Sequence, residues 1–405
     1  MSKRQHNPKR FVRPLVIAVI GLSIVLSCTA VAAKDKKKKE PAVKQAPKTL
    51  IDDLDLSKIV WPNPPAITRI RYMRYFSAEK QITKENKPKS NWMDRLAGVT
   101  TGEDITEKPR FHVITPYGVA VNSKGKLYVG DSKVRAVFVF DTETGDLDLI
   151  KNGTHARFGW ITGLAIDDAD NVFVADSKHG RVLVFDPSHK QIGSISEGLI
   201  SPGGMAIDNE NRFLYVPDAE RDQVMVYDAD PPYKLLRTIG KRSKNHELTG
   251  PGEFSRPSNC AVDADGNLYV SDTWNNRIEV FDADGNFIRE FGKAGDGPGY
   301  FARPKGVAID SDGHVWVADS VQNRVQVFTP EGNLLIWMGG TGILPGQFRT
   351  VVGLAIDKSN RVFTTEQFPG RVQMFRYTTN TEALAEKERR DALDAGRKAE
   401  ASPTQ

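Results

Sequence analysis

One short unit recurs six times along the chain, and that recurrence restricts the fold more tightly than any composition does. Its fourth copy, residues 257–281, reads Pro-Ser-Asn-Cys-Ala-Val-Asp-Ala-Asp-Gly-Asn-Leu-Tyr-Val-Ser-Asp-Thr-Trp-Asn-Asn-Arg-Ile-Glu-Val-Phe. The other copies occupy residues 116–140, 162–185, 202–227, 304–328 and 351–375. Each carries an apolar run, an acidic or Gly turn, a second run, an acid, an Arg and a third run. The acids are Asp131, Asp176, Asp218, Asp272, Asp319 and Glu366, with gaps of 45, 42, 54, 47 and 47 residues. A period of that length marks one supersecondary unit per repeat, too small to bury its own apolar faces and stable only when stacked on neighbours.

Within a unit the periodicity is that of strands. Val119, Val121, Leu127, Val129, Val137 and Val139 alternate with other residues, and Gly, Asn and Asp supply the turns. In the fourth and fifth units a further run follows, residues 287–291 and 334–338. Four strands per unit and six units predict an all-β fold, a six-bladed β-propeller. The pattern Pro-x-Gly-Val-Ala-x-Asp, Gly-x-Leu-Tyr-Val-x-Asp, Asn-Arg-x-x-Val-Phe resembles the NHL repeat, and all six units carry it. The resemblance implies the fold and leaves the function open, because NHL-type propellers include lyases, RNA-binding modules and passive scaffolds.

The outer strand of the sixth unit is missing after residue 375, where Tyr377-Thr-Thr-Asn380 is short and polar. A closed propeller leaves no spare edge. Residues 67–76, a lone strand-like run far upstream of the first repeat, are therefore expected to fill that place and close the ring. Residues 61–380 make up the propeller on this reading. Residues 88–110 break the pattern, with a short helix expected around Trp92, Met93 and Leu96, and residues 381–405 read as a charged helical or disordered tail whose large apolar members are Leu384 and Leu393.

The net charge of +5 conceals a division. The first 50 residues hold twelve Lys or Arg against Asp35 and Glu40, so the remainder is mildly acidic at −5. An acidic body is not a phosphate-neutralising surface, and no nucleic-acid partner is expected. Residues 1–33 look like an export signal: Lys3, Arg4, Lys9, Arg10 and Arg13 precede an apolar core at residues 15–27 that is too short to span a bilayer alone. Val25-Leu26-Ser27-Cys28 resembles a bacterial lipobox, which would make Cys28 a lipidation site. Cleavage after Ala30-Val31-Ala32 and an uncleaved anchor are the rivals. Each reading puts the propeller outside the cytoplasm, the first of them as a lipoprotein facing the periplasm. Residues 34–60, with the Lys36 to Lys39 run, are expected to be a disordered linker. The only other cysteine, Cys260, reads as a small buried hydrophobe.

In a propeller the innermost strand, a, lines the central channel, and the loops joining d to a and b to c share one face. Gly250-Pro-Gly-Glu-Phe254, Gly297-Pro-Gly-Tyr-Phe301 and Pro345-Gly-Gln-Phe348 sit in long d-to-a loops, where the Phe is expected to plug the gap between blades. The acid and Arg present in every unit serve what every blade needs, loop amides and strand ends. Functional residues should instead break the symmetry. Asn259 replaces a Gly at the channel mouth. Arg256 and Arg303 precede equivalent prolines, where they could clamp an anion or stack on Phe254 and Phe301. Trp160, Trp274 and His179 fall on the same loop face.

Enzyme chemistry finds less support. Peptidylglycine amidating lyases, similar in fold, hold zinc with histidines from several blades, whereas the seven histidines here occupy unrelated repeat positions. Gluconolactonase-like propellers hold a divalent cation with a Glu, Asn and Asp set, of which only Asn259 has a counterpart. No Gly-x-Ser-x-Gly is present. No catalytic residue, metal ligand or cofactor is assigned. The expected role is non-catalytic binding of a protein, peptide or glycan partner at the cell envelope, with a metal-dependent hydrolase or lyase as the alternative.

Overall fold

The first five repeats each fold into a four-stranded antiparallel sheet, the sixth supplies three strands of a larger one, and the six sheets close around one channel in the computed structural model. The structure describes residues 54–78, 111–150, 158–241 and 249–401. The expected export signal with Cys28, and the short helix near Trp92, lie outside the described residues. Two strands precede the repeats, β1 (Val60–Trp61) and β2 (Ile70–Phe76). Blade one is β3–β6 (Pro116–Val121, Lys126–Asp131, Ala136–Asp141, Leu147–Ile150) and blade two β7–β10 (Ile161–Ile166, Val172–Asp176, Arg181–Phe185, Gln191–Ile195). Blade three is β11–β14 (Ala206–Asp208, Phe213–Asp218, Gln223–Asp228, Leu235–Ile239) and blade four β15–β18 (Pro257–Val262, Leu268–Asp272, Arg277–Phe281, Phe287–Phe291). Blade five is β19–β22 (Pro304–Ile309, Val315–Asp319, Arg324–Phe328, Leu334–Gly339). Blade six has β23–β25 (Val351–Ile356, Arg361–Glu366, Arg371–Tyr377) from the last repeat.

The ring closes as the missing strand required. β2 pairs antiparallel with β25 from Ile70 opposite Tyr377 to Phe76 opposite Val372, and Ile70, Tyr72 and Phe76 turn inward and are buried. Blade six is thus a five-stranded sheet, because β1 adds outside β2 through Val60 opposite Arg71. Order begins earlier than the sequence boundary at residue 61: a 3₁₀ turn, Leu56–Lys58, is capped by the Asp55 carboxylate accepting from Ser57 N at 3.2 Å. Ile59 and Trp61 pack on the core of blades five and six, so the expected linker 34–60 ends in ordered structure.

The core lies between blades rather than inside them. Each apolar cluster joins side chains of adjacent sheets, such as Phe173 and Val184 of blade two with Leu214, Val216 and Tyr227 of blade three. Phe254, Phe301 and Phe348 are fully buried plugs, packed against Phe281, Phe328 and Phe375 at ring separations of 5.5, 5.6 and 6.0 Å. Glycines set how closely the a strands approach. A Cβ on Gly163 would lie 2.2 Å from Gly203 O, and one on Gly353 would lie 2.2 Å from Tyr117 O. Strand β11 is short because Gly203 N donates to Pro217 O while Gly204 N donates across to Ser258 O of blade four, at 2.8 and 2.9 Å.

The C-terminal helix, α1 (Asn380–Ala401), opens on a capping box. Thr379 Oγ1 accepts from Glu382 N at 3.2 Å, and the Glu382 carboxylate accepts from Thr379 N at 2.8 Å. Leu384 and Leu393, the large apolar members of the helix, are exposed.

Candidate functional site

The central channel offers little chemistry. Its cavity of about 250 Å³ is lined by the a strands: Gly at the mouth, then Val, Leu, Met, Ala and Ile below, with Cys260 in blade four. Cys260 is buried, and desolvation pushes its thiol well above the ordinary range. Asn259 is the one side chain among the six mouth positions that carries an amide, and it lies against Gly204, where an added Cβ would come within 2.4 Å of it. One amide and a ring of glycines do not fit a divalent cation, which needs several oxygen or imidazole ligands. Among the described residues no three His, Cys, Asp or Glu side chains converge as a metal site requires.

The repeated acids are buried, and they hold the loop face together. Asp131 accepts from Ile114 N and Thr115 N at 2.6 and 2.8 Å on one oxygen, and from Lys133 N and Val134 N, both at 2.8 Å, on the other. Asp218 and Asp319 repeat the arrangement. Arg277 and Arg371 pair with Asp272 and Glu366 at 2.9 and 2.8 Å, then reach d-to-a loop carbonyls such as Gly250 O and Leu344 O. Burial raises the carboxyls of Asp272 and Glu366 above their ordinary range. These groups tie the b-to-c turn to the segment entering strand a. A backbone bond repeats that tie: Ser132 N to Thr115 O, Ser177 N to Trp160 O, Ala219 N to Ser201 O and Ser320 N to Arg303 O.

On this scaffold the symmetry-breaking residues gather into two groups. Trp274 is half exposed, with the Arg256 guanidinium 4.8 Å from its ring centroid and that of Arg303, from the next blade, at 5.8 Å. The arginines therefore stack on Trp274 and not on Phe254 or Phe301, which are buried out of reach as interblade plugs. Arg256 is further held by Glu220 at 2.7 Å. Trp160, 59% exposed, follows Gly159, against which His179 lies, and His179 Nδ1 is 2.7 Å from the repeated acid Asp176. His179 thus shares in the scaffold's hydrogen bonding. Asn259 belongs to neither group.

Other members of this face escaped sequence reasoning. Every blade presents an exposed large apolar side chain beside this tie, Ile114, Trp160, Ile200, Trp274, Val321 or Phe368, and the d-to-a loops add Tyr300, Ile343 and Leu344. In blades one to three it precedes strand a and a charged residue stands two places after the acid, namely Lys133, Lys178 or Glu220. In blades four to six the order reverses: the apolar residue stands two places after the acid, and Arg256, Arg303 or Arg349 lies one or two places before strand a. Arg349 lies 4.9 Å over Phe368. The signal was the exchange itself, visible only once the two positions are known to be neighbours.

A family model described as an NHL repeat matches residues 158–185, and one described as a 6-bladed beta-propeller matches residues 252–328. The chain is a six-bladed β-propeller that carries an NHL repeat. It is similar to two curated proteins over short stretches: Protein brain tumor of Drosophila melanogaster, 46% identical over 44 residues, and Protein lin-41 of Caenorhabditis elegans, 45% identical over 53 residues. Those stretches are 11% and 13% of this chain, and the chain spans about 4% of the length of either relative. Among solved structures, a Bacteroides thetaiotaomicron protein of unknown function matches at 16% identity and TM-score 0.52, over 65% of this chain and 70% of that one. A gluconolactonase from Xanthomonas campestris matches at 20% identity and TM-score 0.50, over 65% and 86%. Identities this low show the shared propeller fold alone. Virginiamycin B lyase from Staphylococcus aureus, at 15% identity and TM-score 0.48 over 65% and 94%, adds nothing to that.

Proposed function

We propose that this NHL propeller is a non-catalytic binding protein of the cell envelope, held at the membrane through its N-terminal segment and engaging a protein, peptide or glycan partner through its loop face. The observation that carries the reading is a contrast between two places where a propeller can work. The channel holds one amide among glycines and aliphatic side chains, whereas the loop face brings Trp274 between two guanidinium groups and exposes an apolar side chain in every blade. Exposed aromatic and arginine side chains on a rigid scaffold are the usual anchors of recognition surfaces.

The test is photo-crosslinking in intact cells, with the crosslinking residue placed at Trp274 or, as a control, at Leu335 on the outer strand β22 of blade five. Adducts from position 274 alone are expected. Adducts from neither position, together with near-stoichiometric calcium or zinc in the purified full chain, would overturn the reading in favour of a metal-dependent hydrolase or lyase.

A further inference from the structure

The exposed apolar side chains on the loop face are spread around a ring instead of gathered into a cleft. Blades of a closed propeller are related by rotation about the channel, so equivalent loops end at similar heights. Ile114, Trp160, Ile200, Trp274, Val321 and Phe368 therefore form a crown with a member in every blade, an arrangement suited to a broad partner better than to one seated in a single cleft. Charge is distributed to match. Of the six partner positions beside the crown, Glu220 and Arg256 pair with each other at 2.7 Å, and the remaining four are Lys133, Lys178, Arg303 and Arg349. The opposite face carries the acidic a-to-b turns, among them Asp167, Asp168, Asp263, Asp265, Asp310 and Asp312. The disc is polarised even though the body of the chain is net negative.

We propose that the loop face rests on an anionic lipid bilayer. This goes beyond the binding reading above, with which it shares the loop face, and adds lipid headgroups to the protein, peptide or glycan partner as what that face meets. Tryptophan rings favour the headgroup level, with the indole N–H hydrated and the ring in the acyl boundary, and Lys and Arg stems reach back to phosphates. A single crown residue would bind weakly, but a ring of them on a rigid disc acts together. The path of the chain points the same way. β2 runs toward the loop face, since its last residue, Phe76, pairs with Val372 at the b-to-c end of β25. β1 is antiparallel to β2, so the chain enters β1 from the loop-face side.

The experiment is hydroxyl-radical footprinting of the full chain in vesicles of phosphatidylethanolamine and phosphatidylglycerol, compared with phosphatidylcholine vesicles. Trp160, Trp274 and Phe368 should become several-fold less reactive on the anionic vesicles only, while Trp337, exposed on the blade wall, stays unchanged. Raising salt should reverse the protection. The triple variant K133E/K178E/R349E should lower it by roughly tenfold or more, since each cation near an anionic surface contributes on the order of a fivefold gain in partition. Its thermal midpoint should match that of the wild type. Equal reactivity in both lipids would overturn the proposal. If position 274 still crosslinked an envelope partner, the binding reading would survive without it; if it did not and the purified full chain held near-stoichiometric calcium or zinc, both would fall. Stronger protection by poly(U) RNA than by anionic vesicles would also overturn it, in favour of a nucleic-acid face.

Discussion

Glu279→Gln should stabilise the protein above neutral pH and leave it nearly unchanged in acid. In blades five and six the equivalent residues are Gln326 and Gln373. Each side-chain carbonyl accepts from a loop amide, Gly299 N or Gly346 N at 2.8 Å, and each NH₂ donates to a loop carbonyl, Tyr300 O at 2.9 Å or Gln347 O at 2.8 Å. Blade four places a carboxyl in that pocket. Glu279 Oε2 accepts from Gly252 N at 2.7 Å, but Oε1 lies 2.6 Å from an Arg277 nitrogen without a hydrogen bond's alignment. Arg277 is shared with Asp272 and Glu290, so one guanidinium serves three carboxyls. Burial pushes the Glu279 carboxyl from its ordinary 4.5 up to about 7.

The folded state therefore holds this proton more tightly than the unfolded chain does. Its contribution to stability is fully present below pH 4.5 and is lost as the pH rises to about 7. At roughly 1.4 kcal/mol per tenfold change in proton affinity, the loss is about 3 kcal/mol. The Gln variant does not titrate and can complete the bond to the loop carbonyl. Thermal midpoints of both proteins at a fixed scan rate, from pH 4.5 to 8, give the difference directly, and other titrating groups cancel in it. We expect the gap to open by on the order of 5 °C between pH 5 and 8. A gap that is constant across this range would refute the account of Glu279 as a buried carboxyl in an amide's place.

Deleting residues 67–76 should remove the buried side chains of Ile70, Tyr72 and Phe76, lower the thermal midpoint by many degrees and expose the edge of β25; a midpoint unchanged by calorimetry would show that β2 is dispensable. Gly163→Ala should destabilise by roughly 2 kcal/mol or more because its Cβ meets backbone of the next blade, whereas Gly204→Ala meets only the movable Asn259 side chain and should be milder, as denaturant titration of the two would reveal. Cys28→Ala should release the protein from membranes on cell fractionation if the lipobox resemblance holds, and retention would favour an uncleaved anchor.

What could be read from the sequence follows from what each signal depends on. The strands were legible because alternation and turn chemistry are local. The closing strand was legible because the sixth repeat lacked a d strand, and pairing arithmetic supplied one. The site was legible only residue by residue. Arg256, Trp274 and Arg303 each broke a symmetry, but their stacking joins a d-to-a segment, a b-to-c turn and a neighbouring blade, a contact that no local pattern encodes. Val321, Phe368 and Lys178 resembled ordinary loop variation until the hydrogen-bonded tie between the two loops made them neighbours. Glu279 was invisible for the same reason: its peculiarity is that its counterparts are amides in a buried pocket.

The closure of blade six also sets an order of events. Arg69 Nε donates to Thr378 O across 309 residues of chain, and β2, among the first strands to be synthesised, meets its inner neighbour β25 only at the end of synthesis. At ribosomal rates of about 5–20 residues per second, β2 waits for about 15–60 s with the apolar side chains of Ile70, Tyr72 and Phe76 uncovered. During that interval its edge can accept the β25 of another copy as readily as its own. The characteristic misassembly of this chain should accordingly be an exchange of β2 between two rings, favoured by high expression and suppressed by dilution.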